Sequence, residues 1–376
     1  MKTSFGFCMS TKKYGIIVIL IFLGFLSGFF VNMYEVYPYS AIKQLYAENQ
    51  RSVSQIEIYE DDVMSLIHID GLDSKIKVQN NLINFIWKQN TLPQNEPSKV
   101  EKNIISQQYE DLENLDSIDK LTIEMEYGVN SIVYFFKPII SNDKLVIYHQ
   151  GHRGDFFEGK QTIEYFLEKN YTVIALSMPL LGMNSQPIID HPQFGKIKIE
   201  SHNQFELLEN KIFSPIQFFV EPTIIVLNYL ENNYDFNSYH MIGISGGGWT
   251  ATLIPAIDDR ITQSFSIAGS YPLFLRSEIK NFGDYEQHNV ELYKIANYLD
   301  LYVMASLGSD RKFVQIFNMY DPCCFDGTSF EKYESEISKI IEKSDNGYFR
   351  IYLDQTHNKH IISEHSLEII INEING

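Results

Sequence analysis

The chain has 376 residues, 44% apolar and 14% aromatic, enough for a substantial core in one large domain or two ordinary ones. With 48 acidic against 30 basic residues the formal net charge is −18, a field that repels phosphate backbones and excludes nucleic acid as an expected partner. Cys8, Cys323 and Cys324 make neither a disulfide scaffold nor a CxxC metal pattern, and because adjacent cysteines rarely pair, no structural disulfide is expected.

Lys12 and Lys13 precede an uncharged apolar run, YGIIVILIFLGFLSGFFVNMY, residues 14–34. As a helix its 21 residues would span ~30 Å, the thickness of the hydrocarbon core of a bilayer. Lysines ahead of the run keep the N-terminus cytoplasmic. The segment is therefore read as a signal anchor, with the rest of the chain on the periplasmic or extracellular side. The alternative is a secreted chain after signal cleavage, which wants a shorter apolar region and an A-x-A-like site; Ser27 and Gly28 do not form one.

Residues 35–119 are polar and mixed and read as an N-terminal helical or cap region. Apolar spacing at Ile76, Leu82, Ile83, Phe85 and Ile86 fits a helix near 75–88. From about 120 the pattern changes. KLTIEMEY and SIVYFFKPI alternate as strands across a hairpin signal, Gly128-Val129-Asn130. A strand over 143–149 runs into a glycine loop, followed by a helix over 158–170 and a buried strand over 171–179. Residues 181–212 read as loop, and a helix over 216–233 contains Pro222, which should kink it or mark its start. After HMIGISGGGWTATL, residues 240–253, come a strand (261–270), a helix (289–306), a strand (312–321), a helix (329–346), a strand (348–354) and a last helix (361–374). Strands alternating with helices predict a mostly parallel, twisted sheet covered on both faces.

In such sheets functional groups gather at the carboxyl ends of strands, and Ser245 stands at one. Gly243-Ile244-Ser245-Gly246-Gly247 matches G-x-S-x-G, a strand-to-helix turn that lifts the serine above the sheet. Side chains two positions before and after would clash where strand and helix cross, which accounts for Gly243 and Gly247. Gly246 and Gly248 leave the helix start open, so its N–H groups can face a developing negative charge.

A serine nucleophile needs a base, and the base needs an orienting carboxylate. Asp321 ends a strand just before Pro322 and is the candidate acid, with Asp326 and Asp354 in reserve. Asp354 precedes the histidines on their own strand and is not expected to face their rings. YLDQTHNKHIIS holds two candidate bases, His360, preferred for the apolar Ile361-Ile362 beside it, and His357. His149, His152 and His240 occupy the wrong positions for that role. The oxyanion donors expected are the N–H groups of Gly246 and of His152, which follows Gly151 in the loop YHQGHRGD; Arg153 and Asp155 there are read as a local ion pair.

YHQGHRGD, GISGGGW, NMYDPCCF and THNKHIIS, in that order, make residues 120–376 resemble the α/β-hydrolases. GISGGGWTATL…AIDDRI, NYLDLYVMAS and YDPCCF are similar to a little-described group of bacterial hydrolases. The resemblance implies an α/β-hydrolase fold with Ser245 as nucleophile, Asp321 as acid and a histidine of HNKHIIS as base. The familiar H-G-G oxyanion loop reads His149-Gln150-Gly151-His152 here, a departure at the second donor.

The expected organisation is a tail and anchor helix over 1–34, the cap region over 35–119, and a catalytic domain over 120–376 with a helical insertion at 271–312. The expected function is hydrolysis of a small or carbohydrate ester, with no cofactor and no metal. Peptidase or acyltransferase activity on the same residues is the alternative, and a non-catalytic, membrane-attached binding protein is another. Residues 35–119 and 271–312 should lie over or beside the site, where Tyr271, Phe274, Tyr298 and Tyr302 line a pocket or simply pack.

Overall fold

The computed structural model describes residues 20–28, 60–276, 279–344 and 346–376. The chain divides into two units, Met1–Gln55 and Ile56–Gly376. In the first, residues 20–28 are helical with Leu20, Ile21, Phe22, Leu23 and Phe25 exposed; the remainder of the apolar run 14–34 lies outside the described residues. Among the described residues no helix is long and apolar enough to cross a membrane.

The second unit is built on nine strands in one sheet: β1 (Lys99–Glu101), β2 (Leu115–Glu124), β3 (Asn130–Pro138), β4 (Lys144–His149), β5 (Thr172–Leu176), β8 (Ser238–Ile244), β9 (Ile261–Ile267), β10 (Lys312–Asn318) and β11 (Tyr348–Asp354). Their spatial order is β1-β2-β3-β5-β4-β8-β9-β10-β11. Pairing is antiparallel from β1 through β3 to β5 and parallel from β5 to β11. The hairpin expected across 128–130 joins β2 to β3, and the boundary expected at 119 falls inside β2.

Apolar residues point to alternate faces along each parallel strand, as a sheet buried on both sides requires. On β4, Leu145 and Ile147 join one core while Val146 and Tyr148 join the other. The longer helices sort accordingly. α2 (Lys160–Glu168) and α7 (Glu364–Asn375) cover the second face through Ile163, Phe166, Leu367 and Ile370. On the first face lie α1 (Leu72–Trp87), α3 (Gln217–Asn233), α4 (Gly246–Ile257), α5 (Tyr298–Ser306) and α6 (Glu334–Ser344). α1 places Leu82, Ile83 and Ile86 in the same core as the sheet.

Two expectations change. The loop region 181–212 contains a separate hairpin, β6 (Ile188–His191) with β7 (Gly195–Lys198), and a 3-10 turn at His202–Leu208. The helix expected over 289–306 is two, Val290–Ile295 and α5. Asn297 takes extended backbone and caps α5 by accepting the N–H groups of Leu299 and Asp300, a local hydrogen bond that competes with helix continuation. Pro222 lies inside α3.

Candidate active site

β8 ends at Ile244 and α4 begins at Gly246, so Ser245 alone makes the turn. It holds φ 57 and ψ −124, a conformation that costs about 1–3 kcal/mol and persists only where its surroundings impose it. Its N–H donates to the Ile267 carbonyl at 2.9 Å, and its carbonyl accepts from Trp249 N–H at 3.0 Å. A Cβ on Gly243 would overlap the Gly247 carbonyl, and one on Gly247 would overlap that of His149, so strand and helix cross as the motif requires. Every residue of α4 is buried. Pro255 within it supplies no N–H to the Ala251 carbonyl; the Ser264 hydroxyl donates there instead, at 2.5 Å.

The candidate acid and base come from the far end of the chain. Asp321 lies three residues past β10 and is buried. Its Oδ1 accepts Cys323 N–H at 2.8 Å, and its Oδ2 accepts from His360 Nδ1 at 2.7 Å. A carboxylate accepts, so Nδ1 carries the proton and Nε2 keeps its lone pair. His360 Nε2 is buried and has no hydrogen-bond partner. Asn318 ties the pieces together: its Nδ2 donates to Asp321 Oδ2 at 3.2 Å and to the Ile361 carbonyl at 3.1 Å.

Ser245 and His360 line one cavity of about 300 Å³, with Gly151, Gln150, Arg153 and Tyr148 on its other wall. Gly151 brings the loop after β4 against the serine: a Cβ there would stand 2.6 Å from Ser245 Cβ. Gln150 braces this loop, accepting from the Tyr148 hydroxyl and donating from Nε2 to the Arg153 carbonyl at 3.0 Å. α4 starts beneath the serine, and the first N–H groups of a helix have no acceptor within it.

No family model matches the sequence, and no curated protein matches it. Solved structures match in fold. Acetyl xylan esterase 1 from Thermoanaerobacterium sp. JW/SL YS485 is 11% identical with a TM-score of 0.54, over 84% of this chain and 98% of that one. The acetyl xylan esterase from Paenibacillus sp. R4 is 13% identical with a TM-score of 0.53, over 85% and 99%. Methylesterase BT1017 is 14% identical with a TM-score of 0.50, over 89% of this chain and 67% of that one.

The chain has the α/β-hydrolase fold.

Within this hydrolase fold the structure separates the two candidate histidines. His360 meets Asp321, whereas His357 Nε2 lies 3.4 Å from Asp354 Oδ2 and is not among the residues lining the cavity. Asp354 therefore does face a histidine ring, contrary to expectation, because the chain turns back immediately after β11. Buried Asp354 also accepts from Thr356, Ser363 and Ser366. Burial alone would raise its pKa; these bonds and His357 outweigh that and hold the carboxyl well below the usual range. The Asp326 carbonyl accepts from the Tyr271 hydroxyl at 3.3 Å.

Two other expectations need correction. Cys323 and Cys324 are joined by a disulfide. The turn after Asp321 makes this feasible, since Asp321 Oδ1 gathers the N–H groups of both cysteines, at 2.8 and 3.4 Å. Of the two alternatives for Tyr271, Tyr298 and Tyr302, packing holds and needs no correction: all three are buried in the core and do not line the cavity. Asp155 accepts from Phe157 and Met183 N–H groups, which fixes the loop ahead of α2, while Arg153 faces the cavity. Asn318 and Gln150 escaped the sequence reading. Both sit in stretches already singled out, NMYD and HQGH, but an amide's role as a brace has no sequence signature of its own.

Proposed function

We propose that the protein is a serine hydrolase that cleaves carboxylic esters through Ser245, His360 and Asp321. The observation that carries this reading is the 2.7 Å bond from His360 Nδ1 to Asp321, with the unpartnered Nε2 on a residue that shares its cavity with the strained Ser245. His360 Nε2 takes the hydroxyl proton as Ser245 Oγ attacks the ester carbonyl. The oxyanion is held by the N–H groups of Gly246 and His152, each donor contributing about 3–4 kcal/mol in such sites. The alcohol leaves with the proton from His360. Water, deprotonated by the same nitrogen, then attacks the acyl-enzyme, releases the acid and restores Ser245.

The substrate class we favour is a short acyl ester, foremost acetyl, on a carbohydrate. The small cavity supports it, as do the names of two fold neighbours, both acetyl xylan esterases. The apolar run 14–34 would tether this chemistry outside a membrane, and resistance to alkaline extraction from membranes tests that tether. A panel of acetylated sugars and nitrophenyl esters of rising acyl length tests the activity. Acetyl esters should turn over fastest, with all turnover lost in Ser245→Ala; a folded wild type inert to every ester would contradict the proposal.

A further inference from the structure

Beside the loop that carries Gly151 lies a cluster whose side chains the proposed ester hydrolysis does not use. His152 Nε2 is 2.9 Å from Glu286 Oε1 and 3.6 Å from Asp284 Oδ2. His202 Nδ1 is 3.6 Å from Asp284 Oδ2 and 3.6 Å from Glu286 Oε2. One ligating atom from each of the four residues lies within 4.8 Å of all the others. The four come from three distant segments: the loop after β4, the 3-10 turn His202–Leu208, and the insertion between β9 and β10, where Asp284 immediately precedes the short helix Tyr285–His288.

Two orphaned atoms set this cluster apart from ordinary ion pairs. Glu286 is fully buried, and its Oε2 has no hydrogen-bond partner. His202 is 4% exposed, and its Nδ1 has none either. His202 Nε2 lies 2.8 Å from the Pro179 carbonyl. A carbonyl can only accept, so Nε2 holds a proton, and in the neutral imidazole Nδ1 then presents a lone pair to two carboxylate oxygens. Lone pairs facing one another across a buried carboxylate are costly. A cation among them turns every one of these repulsions into a bond, and a divalent one balances both carboxylates.

We propose that His152, His202, Asp284 and Glu286 bind a divalent transition metal, with Zn²⁺ the best fit. Two imidazole nitrogens with two carboxylate oxygens suit zinc, whereas calcium and magnesium favour oxygen-only shells. Bonds of about 2.0–2.2 Å in a tetrahedron put ligand atoms roughly 3.3–3.6 Å apart; the four histidine–carboxylate separations, counting both Glu286 oxygens, run from 2.9 to 3.6 Å, and one atom of each residue lies within 4.8 Å of the others. The Pro179 carbonyl supplies the outer bond that orients a metal-binding imidazole. Four protein ligands leave no open position, so the ion is structural. It pins the 284–288 segment and the His202 turn to the loop beside the nucleophile. The His152 imidazole lies against Gly246, where a Cβ would stand 2.5 Å from its Cε1. If the proposed esterase reading holds, the metal also steadies the backbone of one oxyanion donor; the site itself does not depend on that reading.

The full chain, purified in detergent without chelators, should carry about one zinc per chain by elemental analysis. Zinc should raise the melting temperature of the chelator-stripped protein. Cobalt in its place should give the intense visible absorption of a four-coordinate site. His202→Ala and Glu286→Gln should each weaken zinc binding by at least tenfold, roughly the minimum seen when a site loses a supporting group. Ser245→Ala should keep its zinc even if ester hydrolysis is lost or was never present, which separates this inference from the proposed function. Wild type that holds no metal, shows no zinc-dependent melting shift and gives a featureless cobalt spectrum would overturn the proposal and leave a cluster of histidine–carboxylate ion pairs. Unchanged zinc binding in both variants would overturn it equally.

Discussion

His360 and His357 stand three positions apart in different surroundings. One donates to Asp321 and lines the cavity with Ser245, and the other leans on Asp354 within its own turn. His360→Gln should lower kcat/KM on an acetyl ester by about a thousandfold or more, and Asp321→Asn comparably, since each leaves the serine without an oriented base. His357→Gln should stay within about tenfold, because its ring never meets the reacting atoms. His240 makes a different prediction. Burial, with Lys144 and Lys312 nearby, pushes its pKa down to about 3, while an unfolded histidine titrates near about 6.5. Below about 6.5 the unfolded chain binds a proton that the folded chain refuses. The stability linked to this neutral imidazole is therefore full above that pH, and it is lost as pH falls, by about 1.4 kcal/mol per unit. Urea melts of wild type and His240→Gln should diverge at close to that slope between pH 6 and 5, and by about half of it between pH 7 and 6.

At the scale of elements, the strand-turn-helix around Ser245 was readable because its constraint is local. A glycine two positions either side of a serine, between an apolar strand and a helix, leaves few other geometries. Gly247→Ala should cost several kcal/mol or prevent folding, since the new methyl meets the His149 backbone, which cannot retreat without moving β4. Ser264→Ala should cost about 1–3 kcal/mol in a denaturant melt by stranding the Ala251 carbonyl opposite Pro255. Asn318→Ala should lower kcat with a smaller change in KM, because the amide holds the acid against the turn that carries the base. That brace was not readable, because an amide's partners depend on which two turns the sheet brings together. The break between Val290–Ile295 and α5 was missed for a related reason: apolar spacing continues through it, and only the Asn297 cap interrupts the helix.

For the whole molecule, nine strands from β1 to β11, all but the β6–β7 hairpin, share one sheet, and α1 shares its core. Residues 56–376 should therefore melt in one cooperative transition, with calorimetric and van't Hoff enthalpies in agreement; two separable transitions would contradict a common core. The pairing of Asp321 with His360, and the cavity His360 shares with Ser245, were readable because parallel strands deliver their ends to one edge of the sheet. The meeting of His152, His202, Asp284 and Glu286 was not, because those residues share no motif and are joined only by tertiary packing. The disulfide of Cys323 and Cys324 likewise depends on a turn whose geometry Asp321 sets. The most direct test of the central claim is labelling of the folded full chain with a fluorophosphonate, mapped by peptide mass. Covalent modification confined to Ser245, and slowed at least about a hundredfold in His360→Gln, is the predicted result. A folded wild type that takes no label, or takes it elsewhere, would contradict the account.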